Sequence, residues 1–214
     1  MDVLVAGGHG QVARRLLRLL AQRGHTARGL IRNPGHVADL EADGAQAVLC
    51  DLEHDDVRPH VGGADALVFA AGAGPGSGPE RKRTMDLGGA LKCIEAAREL
   101  GVDRFLMVSS MRTGQAESAG AMRPYLEAKR DADLALETSG LAWTIVRPGR
   151  LTNEPGTGAV ELAPALARFG EIPRDDVAAA LYACLLARNT VRAGFDVLSG
   201  DEPIDAAVHA LRTR

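Results

Sequence analysis

The sequence predicts an α/β fold in which a doubly wound parallel sheet of about seven strands carries helices on both faces. Two observations predict it. Short apolar runs alternate with amphipathic stretches from one end of the chain to the other, and such alternation is typical of parallel strands joined by helical crossovers. The runs are also apolar throughout rather than at every second residue, which indicates strands that are buried on both faces.

Seven segments are predicted as strands because each is short, apolar and followed by a break in the apolar pattern. In chain order they are DVLVA (2–6), TARGLI (26–31), AQAVLC (45–50), DALVFAA (65–71), RFLMVSS (104–110), LAWTIVRPG (141–149) and FDVLSG (195–200).

The segments between the strands are predicted as helices because their apolar residues recur at helical spacing. They cover 11–24, 35–44, a short stretch at 55–62, 85–101, 123–140 and 174–189, and a final helix follows the last strand. Several end at a glycine suited to a left-handed C-terminal cap, namely Gly24, Gly44, Gly101 and Gly140.

Two segments interrupt this alternation. GAGPGSGPERKR (72–83) is too rich in glycine and proline to form an element, so we expect a mobile loop. RLTNEPGTGAVELAPALARFG (150–170) follows the sixth strand. Both lie at carboxyl ends of strands, where folds of this class bind ligands, so we expect them to form the substrate walls. The basic run RKR is interpreted as solvated surface charge, with a phosphate clamp as the alternative.

Composition excludes several classes of partner. The chain has 214 residues, 46% hydrophobic and 25% charged, with a formal net charge of -3, which gives no reason to expect nucleic acid or an anionic membrane as the main partner. Cys50, Cys93 and Cys184 are far apart and form no C-x-x-C pair, so we predict no metal site and no disulfide framework, and a reducing, cytoplasmic location. No apolar run reaches the length of a membrane span.

The glycine-rich stretch GGHGQVA lies between the first strand and the first helix. Its spacing fits both G-x-x-G-x-x-A and G-x-G-x-x-A, and in a β-α-β unit this pattern is typical of dinucleotide binding, with a pyrophosphate on the helix N-terminus. A turn without a ligand is the alternative. The expected cofactor contacts are Gly7, Gly8, His9, Gly10, Gln11 and Val12, with His9 as a loop residue near the phosphates and not a metal ligand.

The end of the second strand decides which nucleotide fits. An NAD site usually has an acidic residue there, whereas this chain reads GLIRNP and places Arg32 at that position. A guanidinium suits the 2'-phosphate of NADP(H) through paired hydrogen bonds and charge. The alternative is an exposed arginine with no ligand.

Tyr125 and Lys129, in YLEAK, stand four residues apart and therefore on one face of a helix. The chain has only two tyrosines, which makes an accidental pair less frequent. A nearby ammonium stabilises a tyrosinate, so the phenol is suited to exchange a proton with a substrate oxygen, and the lysine to hold a ribose hydroxyl. A packing or cation-π pair is the alternative.

These motifs, together with DL at 51–52, AAG at 70–72, FLMVSS and TIVRPGRLTNEPGTG, stand in the order of the short-chain dehydrogenase/reductase superfamily. The chain resembles it over nearly its whole length, most of all the atypical NAD(P)H-binding branch that includes epimerase/dehydratase-like and NmrA-like proteins. The resemblance implies a Rossmann-type sheet, catalytic roles for Ser110, Tyr125 and Lys129, and cofactor contacts from Lys129, Asp51, Leu52, Ala70, Ala71, Gly72, Pro148, Gly149 and Leu151.

One position departs from the superfamily pattern. Asp86 stands where the fourth active-site residue is usually asparagine, and aspartate is the variant expected in the atypical branch. A carboxylate near Lys129 would keep the lysine charged and offset its pull on the tyrosine. The alternative is a favourable negative charge in the first turn of a helix.

Chain length limits the size of substrate that we expect. We predict a single NAD(P)-binding Rossmann domain over 1–214, with small substrate-side elements from about residue 150 onward. Sugar-nucleotide enzymes of the superfamily usually have a larger C-terminal part, so a small carbonyl, quinone or flavin-like acceptor fits better. We therefore predict an NADP(H)-dependent oxidoreductase with a small-molecule substrate, of undetermined oligomeric state. A non-catalytic NADP-binding redox sensor is the alternative.

Overall fold

A computed structural model describes residues 1–74 and 76–211. Pro75, in the predicted loop 72–83, and residues 212–214 of the predicted domain lie outside the described residues. The strands are β1 (Asp2–Ala6), β2 (Thr26–Ile31), β3 (Gln46–Leu49), β4 (Ala66–Phe69), β5 (Arg104–Val108), β6 (Ala142–Pro148), β7 (Arg150–Thr152), β8 (Ala159–Ala163), β9 (Glu171–Pro173), β10 (Ala193–Ser199) and β11 (Glu202–Pro203).

The helices match the predicted segments, with one addition. They are α1 (Gln11–Gln22), α2 (Val37–Ala42), α3 (Arg58–Val61), α4 (Pro79–Arg81), α5 (Ala90–Glu99), α6 (Arg123–Glu137), α7 (Arg174–Leu186) and α8 (Ile204–Ala210). A π-helical segment, Lys82–Gly89, joins α4 to α5. The prediction that 72–83 contains no element is therefore wrong from Pro79 onward, because Pro79 occupies the first turn of a helix, where its missing N–H costs nothing.

The main sheet runs β11-β8-β10-β6-β5-β4-β1-β2-β3. The pairings from β3 across to β10 are all parallel, whereas β8 pairs antiparallel with β10 and with β11. The predicted doubly wound class is confirmed, and the sheet has two more strands than the seven expected. β8 lies between Gly158 and Pro164, and β11 has only two residues, one of them Pro203, so their strand signal is weak. A separate two-stranded sheet of β7 and β9 was not predicted either.

Two apolar clusters pack on opposite faces of this sheet. One includes Leu16, Leu17 and Leu20 of α1 together with Leu181 and Cys184 of α7. The other joins strand residues such as Phe69 and Phe105 to α5 and α6. Each fully buried leucine contributes about 1.5–3 kcal/mol relative to an exposed one, so these faces fix the positions of the strand ends that form the site.

All three cysteines are free and buried. Burial raises the pKa of the Cys50 thiol to about 11, and raises that of Cys93 and of Cys184 to about 12. Within the described part of the chain, none of the helices is both long and apolar enough to cross a membrane.

Candidate active site

A groove of about 300 Å³ lies at the carboxyl ends of the strands β1 to β4, and the glycine turn after β1 forms its floor. Gly7 has φ +82°, and a Cβ there would lie 2.6 Å from the Cα of Ala71. A Cβ at Gly8 would lie 2.8 Å from the Cα of Gly29. Both positions require glycine for packing alone. Gly10 is exposed on the groove wall, so its missing side chain leaves space for a ligand.

The N-terminus of α1 opens into this groove without a side-chain cap. Gly10 precedes the helix in an extended conformation and provides no side-chain cap, and the first turn contains no acidic residue. Arg15 Nη1 donates to the carbonyl oxygen of Gln11 at 2.9 Å, a bond that involves no N–H group of that turn. The Gln11 side chain is exposed and the Val12 side chain is buried in the core, so the backbone N–H groups are what these residues offer. Uncapped N–H groups at the positive end of a helix bind anions.

His9 forms part of the same wall. Its ring stacks on that of His36 with centroids 3.5 Å apart, and its Nε2 lies 2.7 Å from Oδ2 of Asp39. The hydrogen bond to His9, with the charge of Arg14, lowers the pKa of the Asp39 carboxyl. The placement agrees with a loop residue beside the phosphate site. His36 also lines the groove, and the sequence prediction missed it.

Arg32 lies at the groove as expected from its position after β2, with its side chain 53% exposed. The structure adds two residues that the prediction lacked. Glu53 places Oε2 at 3.8 Å from Arg32 Nη1 and accepts a 3.2 Å hydrogen bond from Arg81 Nη2. Arg81 lines the groove, so the interpretation of the RKR run as solvated is wrong at this residue. The physical reason is that α4 turns this side chain inward.

The residues predicted to contact the adenosine follow β3 and β4, and all of them line the groove, namely Asp51, Leu52, Ala70, Ala71 and Gly72. Leu52 is buried and supplies apolar surface. Asp51 Oδ1 accepts the N–H of Glu53 at 2.9 Å. Burial by itself would raise the pKa of the Asp51 carboxyl. This bond, together with the charges of His54 and Arg32, outweighs burial, and the pKa is lowered. Part of this carboxylate therefore stabilises its own turn.

Ser110 and Tyr125 are both half-buried near the end of β5. Ser110 Oγ donates a 3.2 Å hydrogen bond to the carbonyl oxygen of Met111. The ring centroid of Tyr125 lies 5.6 Å from Lys82 Nζ and 6.0 Å from Lys129 Nζ. The phenol therefore has two ammonium groups nearby, of which the sequence predicted only Lys129.

Lys129 and Asp86 form a buried ion pair, with side chains 4% and 1% exposed and Nζ 3.2 Å from Oδ1. The ammonium also donates to the carbonyl oxygens of Val108 at 3.2 Å and Ala71 at 3.5 Å. Among the described residues Oδ1 accepts no hydrogen bond, so Asp86 holds the lysine by charge. The predicted proximity of Asp86 and Lys129 is observed. An ammonium has three N–H donors, of which the two carbonyl oxygens use two, and the ribose contact of Lys129 stays a prediction.

Asp86 lies in the π-helical segment Lys82–Gly89, a widened helical turn of the kind often found at functional sites. Its Oδ2 accepts the N–H of Ala73 at 3.0 Å. A Cβ at Gly72 would lie 3.1 Å from Oδ1. One carboxylate thus joins Lys129 to the loop after β4, and so connects the groove to the Tyr125 side.

The residues after β6 pack tightly against the neighbouring strand and loop. Pro148 accepts the Met111 N–H at 3.1 Å, and Gly149 donates to the carbonyl oxygen of Val197 at 3.1 Å. A Cβ at Gly149 would lie 2.4 Å from the carbonyl oxygen of Gly170, so packing requires this glycine. Leu151 is half-buried against the core. All three lie at the strand end expected for the nicotinamide.

A second cavity, of about 400 Å³, lies between the segments 111–115 and 164–169, with Arg147 and Asp196 on its floor. Met111 pairs with Pro148, and Asp196 lies in register with Arg147. The backbones at Ser110 and Asp196 are therefore separated by two strand spacings, which is about 10 Å. The sequence indicated one wall of this cavity, within 150–170, but neither Arg112 nor Asp196.

The NEPGTG part of the second predicted wall is held by a buried carboxylate. Asp176, at the start of α7, accepts the N–H groups of Thr157 and Gly158, each at 2.9 Å. Both amides of this wall therefore have their acceptor within the protein.

Comparisons with known proteins agree with this geometry. The family described as NAD(P)H-binding matches residues 7–188. The chain is 43% identical over 215 residues to "Uncharacterized sugar epimerase YhfK" of Bacillus subtilis (strain 168), covering 99% of this chain and 100% of that protein.

Two solved structures are similar over the whole length. "Putative NAD-dependent epimerase/dehydratase" from Bacillus halodurans has a TM-score of 0.95 and 41% identity, covering 99% of this chain and 100% of the other. The oxidoreductase ylbE from Lactococcus lactis has a TM-score of 0.86 and 26% identity, covering 99% and 96%.

Proposed function

The chain belongs to the NAD(P)H-binding family, in the atypical branch of the short-chain dehydrogenases/reductases, and from that premise we propose that it is an NADP(H)-dependent oxidoreductase acting on a small carbonyl, quinone or flavin-like acceptor. One observation carries the proposal: a single edge of the sheet holds both the uncapped glycine groove and the Ser110–Tyr125 side chains. A cytoplasmic location, expected from composition and cysteine spacing, remains part of this proposal.

The glycine groove fits a dinucleotide. Its uncapped helix N-terminus offers backbone N–H groups to a pyrophosphate, and Gly10 leaves the backbone accessible where a side chain would fill the approach. Leu52 and the alanines after β4 offer an apolar wall to an adenine ring.

A preference for NADP(H) is supported by the arginines at the end of β2. Arg32 and Arg81 line the groove, and Glu53 contacts both of them. Asp51 is a second carboxylate on the groove wall, so the support is not an excess of positive charge but the guanidinium group, which forms paired hydrogen bonds with a 2'-phosphate. The exposed Arg32 side chain is able to turn toward a phosphate without losing a close ion pair, because its distance to Glu53 is 3.8 Å.

The bound nicotinamide would supply or accept the hydride. The Tyr125 hydroxyl is the proton donor to the carbonyl oxygen of the acceptor, and Ser110 Oγ orients that oxygen. Lys129 acts on Tyr125 through its charge, because its Nζ lies 6.0 Å from the ring centroid and donates to the carbonyl oxygens of Val108 and Ala71. Its remaining N–H group is available to a ribose hydroxyl. Lys82, 5.6 Å from the same ring, adds a second positive charge.

A non-catalytic NADP-binding sensor is the second candidate, favoured by the buried ion pair of Lys129 and Asp86. In the superfamily pattern this lysine serves the ribose and the tyrosine, and here Asp86 offsets its charge. Such a sensor would bind NADP(H) in the groove without catalysing proton transfer.

Steady-state kinetics separates the two. With NADPH and a panel of quinones, aldehydes, ketones and flavins, the reductase should oxidise NADPH with at least one acceptor. Tyr125→Phe should then lower kcat roughly 10²-fold for carbonyl acceptors while NADPH affinity stays within about twofold. Quinones and flavins are the internal control, because hydride transfer to them needs no phenolic proton. Tight NADPH binding with no turnover of any acceptor would favour the sensor.

A further inference from the structure

The cavity between 111–115 and 164–169 contains opposite charges that do not pair with each other. Arg112, Arg147, Arg168 and Asp196 all line it. Arg147 is paired with Asp133 at 2.8 Å and with Glu137 at 3.3 Å, and Arg168 is paired with Glu161. Among the described residues Arg112 has no carboxylate within ion-pair distance. Its Nε bonds only to the neutral side chain of Gln115, at 3.1 Å.

Asp196 is the negative counterpart on the cavity floor. The residue is 8% exposed, and its Oδ2 accepts the Leu166 N–H at 3.0 Å. Within the described residues no donor bonds to Oδ1. Burial raises the pKa of this carboxyl, although the Leu166 bond and the charge of Arg147 oppose the rise. Oδ1 is not itself buried but open to the cavity, so it is available to accept from an N–H or O–H group of a ligand.

The Arg112 guanidinium lies over the Phe169 ring at the cavity, with its carbon 5.4 Å from the ring centroid. The ring is 53% exposed. Arg112 has φ +67°, a left-handed conformation that costs free energy for a residue with a side chain. The backbone holds the cation over one face of the ring despite that cost, and the exposed remainder of the ring is surface against which a planar ligand ring is able to pack.

We propose that this cavity binds a small planar acid whose carboxylate contacts Arg112, whose ring lies against Phe169, and whose N–H or O–H group donates to Asp196. A volume of about 400 Å³ suits a ligand of this size. Its identification as the acceptor rests on the proposed function and requires that the acid also carry the carbonyl or quinone group that takes the hydride; Met111 of the cavity directly follows Ser110. The binding itself does not depend on any turnover.

Two methionines make the test selective. Met111 lines this cavity and Met85 lines the glycine groove, so methyl NMR of ¹³C-methionine-labelled protein reports on the two sites separately. The probes are 2-, 3- and 4-hydroxybenzoate, with benzoate lacking the donor and phenol lacking the carboxylate. We expect at least one hydroxybenzoate to shift Met111 and to bind about tenfold more tightly than benzoate or phenol.

Substitutions assign the two contacts. Asp196→Asn keeps an acceptor for Leu166 and should bring the hydroxybenzoate affinity down to that of benzoate. Arg112→Asn, a residue that tolerates positive φ, should weaken both acids about tenfold or more, and Arg112→Lys should restore part of the affinity. Arg168→Gln removes the same charge from a paired position and should change affinity less than twofold.

No Met111 shift with any hydroxybenzoate, while NADPH shifts Met85, would overturn the acid site and leave the nucleotide site standing. Equal weakening by Arg112→Asn and Arg168→Gln would also overturn it, because binding would then depend on general positive charge. A Met85 methyl that does not respond to NADPH would refute the nucleotide site, whatever Met111 does.

Discussion

The buried pair of Asp86 and Lys129 should be a major determinant of stability, and Lys129→Met tests this directly. The substitution leaves the Asp86 carboxylate, 1% exposed, with only the Ala73 N–H as partner. Removing one member of a buried pair costs about 3–5 kcal/mol, because the other charge stays buried without compensation. For a chain of this length about 2–4 °C of Tm corresponds to 1 kcal/mol, so Tm should fall by roughly 6–20 °C.

A double-mutant cycle separates the pair from its surroundings. Asp86→Leu and Lys129→Met together replace both charges by apolar groups, which is often close to neutral. We expect the double variant to lose less than the sum of the single losses, with a coupling of about 1–3 kcal/mol. The assay is denaturant unfolding, with midpoints compared at an unchanged slope.

The control is the exposed pair of Arg123 and Glu127 on the same helix. Glu127→Gln should leave the unfolding midpoint unchanged within error, because exposed pairs are screened by solvent. A Lys129→Met variant as stable as the parent, or additive losses in the double variant, would show that the pair does not couple and would refute the reasoning.

Three further predictions concern the groove and its supports. Arg32→Ala should abolish a preference for NADPH over NADH of at least about tenfold, measured by calorimetry; a preference that survives would place the phosphate on Arg81. Gly7→Ala should destabilise more than Gly24→Ala in urea unfolding, because both have positive φ but only Gly7 adds a backbone clash at 2.6 Å. The pKa of Asp43 is lowered by Arg14 and Arg18 against the effect of burial, so the stability it adds should be present above its ordinary value of 3.8 and be lost as pH falls through the folded value. Asp43→Asn and parent should therefore converge in Tm at low pH, and a constant difference would contradict this.

The fold was predictable because its signals are local. Continuous apolar runs and glycine caps identify parallel strands and helices without any knowledge of tertiary contacts. The strands β8 and β11 of the main sheet, and β7 and β9 of the small one, were not predicted. β8 is as long as β1 but lies between Gly158 and Pro164, and the other three have two or three residues, so all four depend on a neighbouring strand for their conformation.

The candidate site was predicted where backbone position decides it and missed where side-chain direction does. Gly7, Arg32 and Tyr125 follow from their places at strand and helix ends. Arg81 was assigned to solvent because it stands in a basic run within a segment rich in glycine and proline. The helix that begins at Pro79 turns its side chain inward, and no periodic pattern in the sequence predicts that helix or the π-helical turn that follows it. Asp196 is one residue within an ordinary apolar strand, and only the folded protein opens a cavity above it.

Because the cysteines are buried, the rate at which each is alkylated reports how often the surrounding part of the fold opens. Alkylating reagents attack the thiolate, and a thiol with a pKa of about 12 inside a packed layer reacts only when that layer opens. Cys93 and Cys184 lie on opposite faces of the sheet, so each labelling rate measures the opening of the helical layer on its own face. Equal rates would mean that both faces open in one event, whereas a faster Cys184 would mean that the α1 and α7 layer separates first.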